Sequence, residues 1–383
     1  MSRILYVNHT ARVSGAERTL LDLLRALPPE VEPVVASPEG RLGDEVRALG
    51  IEHRPLPECD VSLKLEPRAT SRALVQLFRA GSEAGRVARR MHARFVHAFS
   101  IRAGLGCGLA SEARLVVHAH DALGGGAASR SVAEVISRRS RLILAASPFV
   151  AGRLPRGRGR APVAVVDNPV DLASFDPAVA SPSAVREELG IAPDAHVLTV
   201  VGQITPWKGQ DLALRVLAGL LERGLDAHLL VVGAAVFTSR LTRHDNLAYQ
   251  DSLLELQSTL RLTGRAHFLG EREDVPAVLA GSDLTLVPSW EEPFGRIVVE
   301  SMAMGVPVLA TTRGGPALIL RDGGGLTLAP DDAAAWAGVA ERLLLDPAER
   351  AAMGERGALL ARSRFRLDRW IDRVTAAYAE VAA

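Results

Sequence analysis

His196-Val197-Leu198-Thr199-Val200-Val201-Gly202-Gln203-Ile204-Thr205-Pro206-Trp207-Lys208-Gly209 reads as a short apolar strand running into a glycine-bearing turn, with a helical stretch beyond it. A strand of this length with almost no polar alternation is covered on both faces, as in a parallel sheet, rather than half-exposed. The same unit recurs downstream at Ala227–Val232, Ala266–Leu269, Leu284–Pro288 and Val306–Ala310, with helical segments filling the gaps. This alternation predicts an α/β, doubly wound parallel sheet.

A first series of the same kind precedes it. Strands are expected at Arg3–Val7, Pro33–Ser37, Phe95–Phe99, Leu115–His118, Leu142–Ala146 and Val163–Val166, with a helix from about Gly15 to Leu27. Between the two series lie Asn168-Pro169-Val170-Asp171, Phe175-Asp176-Pro177 and Ser181-Pro182-Ser183, dense in turn-forming residues. Two Rossmann-like domains facing across a cleft are therefore expected. The first covers 1–172, the second 190–365, and 173–189 form a linker. The chain ends in helices without strands, and a C-terminal helix at 366–383 is expected to cross back to the first domain.

The composition narrows the function. There are 383 residues, with 45 basic and 44 acidic side chains and a net charge of +1. Such a balance argues against a dedicated nucleic-acid binder. Cys59 and Cys107 are too few for a disulfide framework, so a reducing cytoplasm is expected. No apolar run reaches the ~18 residues of a spanning helix, and Met1-Ser2-Arg3 leads straight into a strand-like run rather than a signal peptide. Only Lys64 and Lys208 are lysine, which matches arginine-rich codon usage and draws attention to each lysine. Residues 1–190 carry a net +6 and 191–383 a net −5. Arg68–Arg94 contains seven arginines against the single Glu83, interleaved with Leu74, Val75, Leu77, Phe78 and Val87. Such a helix presents either an ordinary solvated face or a contact for an anionic membrane surface.

The chemistry concentrates in Trp290–Pro307. Pro293 and Gly295 make a tight turn after a strand, and a helix is expected from Arg296 until Gly305 and Pro307 stop it. A helix N-terminus behind a glycine turn favours an anion. Glu292 and Glu300 flank it, and carboxylates there suit hydroxyl groups rather than phosphate. Lys208, at the end of the His196–Val201 strand, is placed to neutralise phosphate oxygens. Ser14-Gly15-Ala16-Glu17-Arg18 and Gly314-Gly315-Pro316 are two further small-residue turns opening helices. Gly104, Gly106 and Gly108 lack the third glycine spacing of a dinucleotide fingerprint, since Leu109 stands there. His97 and His118 alternate along strands and read as core rather than ligands.

Taken together, these segments resemble the retaining glycosyltransferases of family 4, which have the GT-B fold. Glu292 and Glu300 match that family's paired glutamates in an acidic-Pro-Phe-Gly context. Lys208-Gly209 matches its Lys-Gly loop, and Ser14–Arg18 its N-terminal glycine loop. Asn168–Asp171 and Phe175–Pro177 resemble its interdomain segment, while Phe268–Gly270, Ser282–Leu284 and Pro288-Ser289 match the run leading to the glutamates.

The resemblance implies a retaining transfer from a nucleotide-diphosphate sugar, most often a UDP-sugar, to a hydroxyl acceptor. It assigns Glu292, Lys208 and His120 to catalysis. Glu300, Phe294, Gly295, Arg296, Gln203, Gly202, Gly15 and Gly314 would bind the donor, and Ser14 and Asp121 the acceptor. Glu300 would hold the ribose hydroxyls and Lys208 the diphosphate charge. No cofactor or metal is implied, in line with the lack of any Asp-x-Asp pair. The acceptor class stays open between a small molecule, a glycan and a lipid-linked sugar, shaped by loops such as Pro55–Arg68 and Asp121–Arg130. A monomer or homodimer is expected, with peripheral membrane contact through Arg68–Arg94 as one option.

Two departures stand out: Gln203 occupies a position where arginine is usual, and Leu318 one where glutamate is common. The loop Asp322-Gly323-Gly324-Gly325 is also one residue short. The competing readings are a GT-B nucleotide-sugar epimerase or hydrolase, and a non-catalytic sugar-binding module.

Overall fold

The computed structural model describes residues 2–58, 67–236 and 245–382. Lys64 and most of the Pro55–Arg68 loop lie outside them. The chain divides into two compact units: Met1–Asn168 with Leu367–Ala383, and Pro169–Arg366.

The first unit holds a seven-stranded sheet of β1 (Ser2–Val7), β2 (Val31–Ser37), β3 (Glu52–Pro55), β4 (Phe95–Ala98), β5 (Leu115–Ala119), β6 (Leu142–Ala145) and β7 (Val163–Val165). Its order is β3-β2-β1-β4-β5-β6-β7, and every pairing is parallel. The second holds six strands, β8 (His196–Val201), β9 (Ala227–Val232), β10 (Ala266–Gly270), β11 (Leu284–Val287), β12 (Val308–Thr311) and β13 (Gly325–Leu328). Their order is β10-β9-β8-β11-β12-β13, again parallel throughout. In each sheet the strand order reverses beside the unit's first strand in sequence, β1 against β4 and β8 against β11, which makes a switch point at the strand C-terminal ends there.

The central strands β4, β5, β6 and β11 are buried at every position, which explains why their sequences run apolar without alternation. The helix Leu367–Ala382 packs in the first unit, where Trp370, Ile371, Val374 and Tyr378 join Ile4, Tyr6, Leu20 and Phe95 in one core. The crossing back expected for this helix is thus present. Residues 173–189, read from sequence as a linker, fall inside the second unit and carry the helix Pro182–Leu189. Val185 of that helix is buried with Ile191, Val197 and Val278, so a proline-initiated helix stands where turn composition suggested open chain. The glycines of Gly104–Gly108 lie within the helix Ile101–Ala110, and a Cβ on Gly106 would come within 2.7 Å of the Leu77 carbonyl oxygen. They serve a close helix crossing, not a cofactor.

Candidate active site

In the second unit the Lys208 turn and the Glu292 turn are joined atom to atom. Lys208 ends the short helical turn Pro206–Lys208 that follows β8, and its Nζ lies 2.6 Å from Glu292 Oε2. Ser289 Oγ donates to the same carboxylate oxygen at 3.1 Å. The Glu292 side chain is only 9% exposed and the Lys208 side chain 29%, so the pair is shielded but still reachable. The backbone holds the turns in register: the Trp290 amide donates to the Trp207 carbonyl at 2.9 Å. Gly209 has φ +69, and a Cβ there would sit 2.2 Å from the Pro288 carbonyl oxygen. Only glycine allows the lysine loop to lie this close to the end of β11.

The turn after β12 closes on Glu292 from the other side. Glu292 bridges Gly314 in parallel register, with its amide donating to the Arg313 carbonyl at 3.0 Å and its carbonyl accepting from Gly315 at 2.8 Å. Gly314 has φ +121, and a Cβ there would lie 2.0 Å from the Glu292 carbonyl oxygen. Behind the turn, the helix Arg296–Ala303 begins at Gly295. Arg296 Nε is 3.2 Å from Glu300 Oε1, one helical turn on, and both side chains are largely buried. Phe294 is buried against Phe365, so this aromatic residue anchors the turn from within the core. Gln203 offers its backbone carbonyl to Gln210 Nε2 at 2.8 Å, and Gly202 follows β8 with its amide bonded to the Val232 carbonyl.

In the first unit, Ser14 and Gly15 open the helix Gly15–Ala26 after β1. The Ser14 amide donates to Glu17 Oε2 at 3.1 Å, while Asn8 Nδ2 donates to Glu17 Oε1 at 2.9 Å. Asn8 Oδ1 lies 3.1 Å from His9 Nδ1, and Ser100 Oγ lies 2.9 Å from that nitrogen. Burial, reinforced by the Arg102 charge, pushes His9 down to about 3, so it is neutral near pH 7. Arg102 in turn faces Asp121 at 3.8 Å. Ser14 and Asp121, both read as acceptor residues, are thus linked along the C-terminal edge of one sheet through Asn8, His9 and Arg102. None of these three stood out in the sequence; Asn8 and His9 are polar residues directly after β1, and Arg102 lies in the first turn of the helix that follows β4. His120, at the end of β5, is buried with its ring 4.3 Å from His118 and 4.8 Å from Phe99.

Ser289 and Arg313 were also unassigned from sequence. The Arg313 guanidinium lies 3.9 Å over the exposed Trp290 ring, a cation–π contact at the rim of the glutamate turn. Among the described residues, no group of three or more His, Cys, Asp or Glu side chains is arranged to hold a metal ion.

Two all-parallel α/β units with these strand orders have the architecture of the GT-B fold class. Solved structures cover essentially the whole chain. Anabaena Alr3699/HepE in complex with UDP-glucose aligns with TM-score 0.82 at 23% identity, over 99% of this chain and 100% of that one. Sucrose-phosphate synthase from Thermosynechococcus elongatus aligns with TM-score 0.78 at 18% identity, over 100% and 99% of the two chains. The family model for glycosyl transferases group 1 matches residues 183–359, and that for glycosyltransferase family 4 matches residues 13–174. The chain belongs to the family 4 type of GT-B glycosyltransferases. Among curated relatives, the D-inositol 3-phosphate glycosyltransferase of Salinispora arenicola (strain CNS-205) is 33% identical over 231 residues, 58% of this chain and 50% of the relative. That of Actinosynnema mirum is 36% identical over 227 residues, 57% of this chain and 52% of the relative. The matches thus span about half the length of these relatives.

Proposed function

We propose that the chain transfers a sugar from a nucleotide-diphosphate sugar, most readily a UDP-sugar, to a hydroxyl acceptor, with retention at the anomeric carbon and without a metal ion. The observation that carries this reading is the 2.6 Å Lys208–Glu292 contact between two glycine-held turns. Before a donor arrives, each charge neutralises the other. A diphosphate bound at these turns would draw Lys208 Nζ to its oxygens and leave Glu292 to accept hydrogen bonds from the sugar hydroxyls. Glu300, held by Arg296, would take the ribose hydroxyls. The first-turn amides of Arg296–Ala303 add positive potential beside the phosphates.

As the bond from the anomeric carbon to the phosphate oxygen breaks, charge grows on the leaving diphosphate, and Lys208 stabilises it there. The acceptor oxygen bonds to that carbon on the same face, and its proton passes to a leaving phosphate oxygen. No step calls on a metal, because the lysine supplies the cation. UDP and UDP-glucose complexes among the structural neighbours support the donor class. The names of the curated relatives, together with Arg102 beside Asp121, support a phosphorylated polyol as the first acceptor to try.

The test is nucleotide release from UDP-, GDP-, ADP- and TDP-sugars, with and without inositol phosphates and simple glycosides. Product configuration is read by NMR, and rates are compared with and without chelator. A stereochemically inverted product would overturn retention. Loss of rate on chelation would overturn metal independence. Wild-type turnover in Lys208→Ala would overturn the site.

A further inference from the structure

We infer that the exposed face of the helix Pro67–Arg90 docks the protein on an anionic lipid surface. The rotation of this helix is fixed by its inner face. Leu77, Ala84 and Ala88 are buried, and the helix crosses Ile101–Ala110 so closely that a Cβ on Gly81 would lie 2.1 Å from the Gly106 carbonyl oxygen. What points the other way is therefore not free to turn inward.

That outer face has two parts. Leu74, Val75 and Phe78 form one apolar turn, 43%, 50% and 53% exposed. Arg79, Arg86, Arg89 and Arg90 continue the same arc toward the C-terminal end, all exposed. Glu83 is the one carboxylate of the helix, and it pairs with Arg86 at 2.7 Å. Among the described residues no carboxylate pairs with Arg79, Arg89 or Arg90.

A run of unpaired arginines beside a single apolar turn matches diffuse headgroup charge with shallow apolar insertion. It suits a second copy poorly, because a two-fold contact would set arginines against arginines. Among the described residues no helix is long and apolar enough to cross a membrane, so the contact is peripheral. One short apolar turn plus a basic stripe gives reversible, salt-sensitive binding rather than stable anchoring.

The experiment is co-sedimentation of the full chain with vesicles of equal parts phosphatidylcholine and phosphatidylglycerol, against pure phosphatidylcholine, at low and high salt. Retention is expected on the anionic vesicles at low salt, with release at high salt. The triple variant R79A/R89A/R90A should bind at least ten-fold more weakly, and F78S should bind more weakly at intermediate salt. Circular dichroism and nucleotide-sugar turnover in vesicle-free buffer should match wild type for both variants. Equal retention by both vesicle types, none by either, or undiminished binding of the triple variant overturns the proposal. So does a concentration-dependent dimer, seen by ultracentrifugation, that F78S abolishes while vesicle binding persists. Because the readout is lipid binding alone, a failure here leaves the transferase reading untouched.

Discussion

In the first unit three buried histidines, His97, His118 and His120, stack in a column, with ring centroids 5.6 and 4.3 Å apart between successive members, and burial keeps His97 and His118 neutral. The column ends on the C-terminal helix, where Tyr378 hydroxyl bonds His97 Nδ1 at 2.7 Å and Trp370 stacks 6.0 Å from His118. In the second unit the buried polar groups at the strand ends are charged and set against each other, Lys208 against Glu292 and Arg296 against Glu300. Neutral rings cost less to bury than charges and gain from stacking, so His97 and His118 pack as core even though both ring nitrogens of His118 lack hydrogen-bond partners. An ion pair costs more to desolvate and gains little net stability, so it is poorly explained as scaffold and well explained as a device for a charged ligand.

The sharpest way to break this contrast is to damage the column. Trp370 is almost fully buried against the middle ring of the column, and Trp370→Ala should cost roughly 3–5 kcal/mol of stability. Hydrogen exchange resolved by peptide should show the loss in residues of the first unit, with nucleotide affinity of the folded protein little changed. Equal loosening of both units would dissolve the distinction.

Next in size is the ion pair. Lys208→Ala should lower transfer by about 10²–10³-fold, the usual loss for one strong charge-stabilising donor. Circular dichroism should be unchanged, and the stability loss should stay below that of Trp370→Ala. A variant as unstable as Trp370→Ala with normal turnover would make the pair scaffold after all.

The contrast also shows which parts of the protein could be read before its fold was known. Strands buried on both faces, such as Leu142–Ala145 and Leu284–Val287, announce themselves as apolar runs. β3, Glu52–Pro55, did not, because an edge strand exposed on most of its positions has no such run. β13, Gly325–Leu328, follows a glycine loop and is only partly buried beyond its first residue. The charged site was legible as a set of motifs, but the direct meeting of Lys208 with Glu292, 84 residues apart, was not. Nor was Arg313, which reaches Trp290 from the separate turn after β12, whereas Ser289 stood inside a matched run without its bond to Glu292 being visible. Within the histidine column His97 and His118 were legible as core because they alternate on strands, whereas the family resemblance assigns His120 to catalysis; the fold buries all three in one stack.

Smaller again is the effect of acid. Burial holds His97 at about 3 against 6.5 for an exposed histidine, and drives His118 well below 6.5. Above pH 6.5 both folded and unfolded chains carry these rings neutral, and nothing changes. Below it the unfolded chain takes up protons that the fold refuses, so stability falls by about 1.4 kcal/mol per pH unit for each such ring. The loss from His97 continues down to about pH 3. His228 in the second unit is pushed only to about 4, so its loss ends sooner. The first unit should therefore lose protection first as pH drops from neutral to 4, by hydrogen exchange. His118→Phe, which keeps a ring in the stack and removes two nitrogens that lack hydrogen-bond partners, should flatten that slope by one ring's share. An unchanged slope would mean that the column already protonates in the fold.

The smallest change separates packing from hydrogen bonding within the column. Tyr6 hydroxyl lies 3.3 Å from the Tyr378 hydroxyl, a long contact, whereas Tyr378 keeps its 2.7 Å bond to His97. Tyr6→Phe removes the outer hydroxyl and leaves Tyr378 satisfied, so no buried donor is stranded. The cost should be about 0.5–1 kcal/mol, the net worth of one neutral hydrogen bond. Denaturant melts of the single and double variants with Trp370→Ala measure it, and the two effects should add, since the residues share no hydrogen bond. A cost near that of Trp370→Ala, or strong coupling between them, would mean that the column is a polar network held by its hydroxyls. In that case its resemblance to the charged site of the second unit would be closer than stacking alone allows.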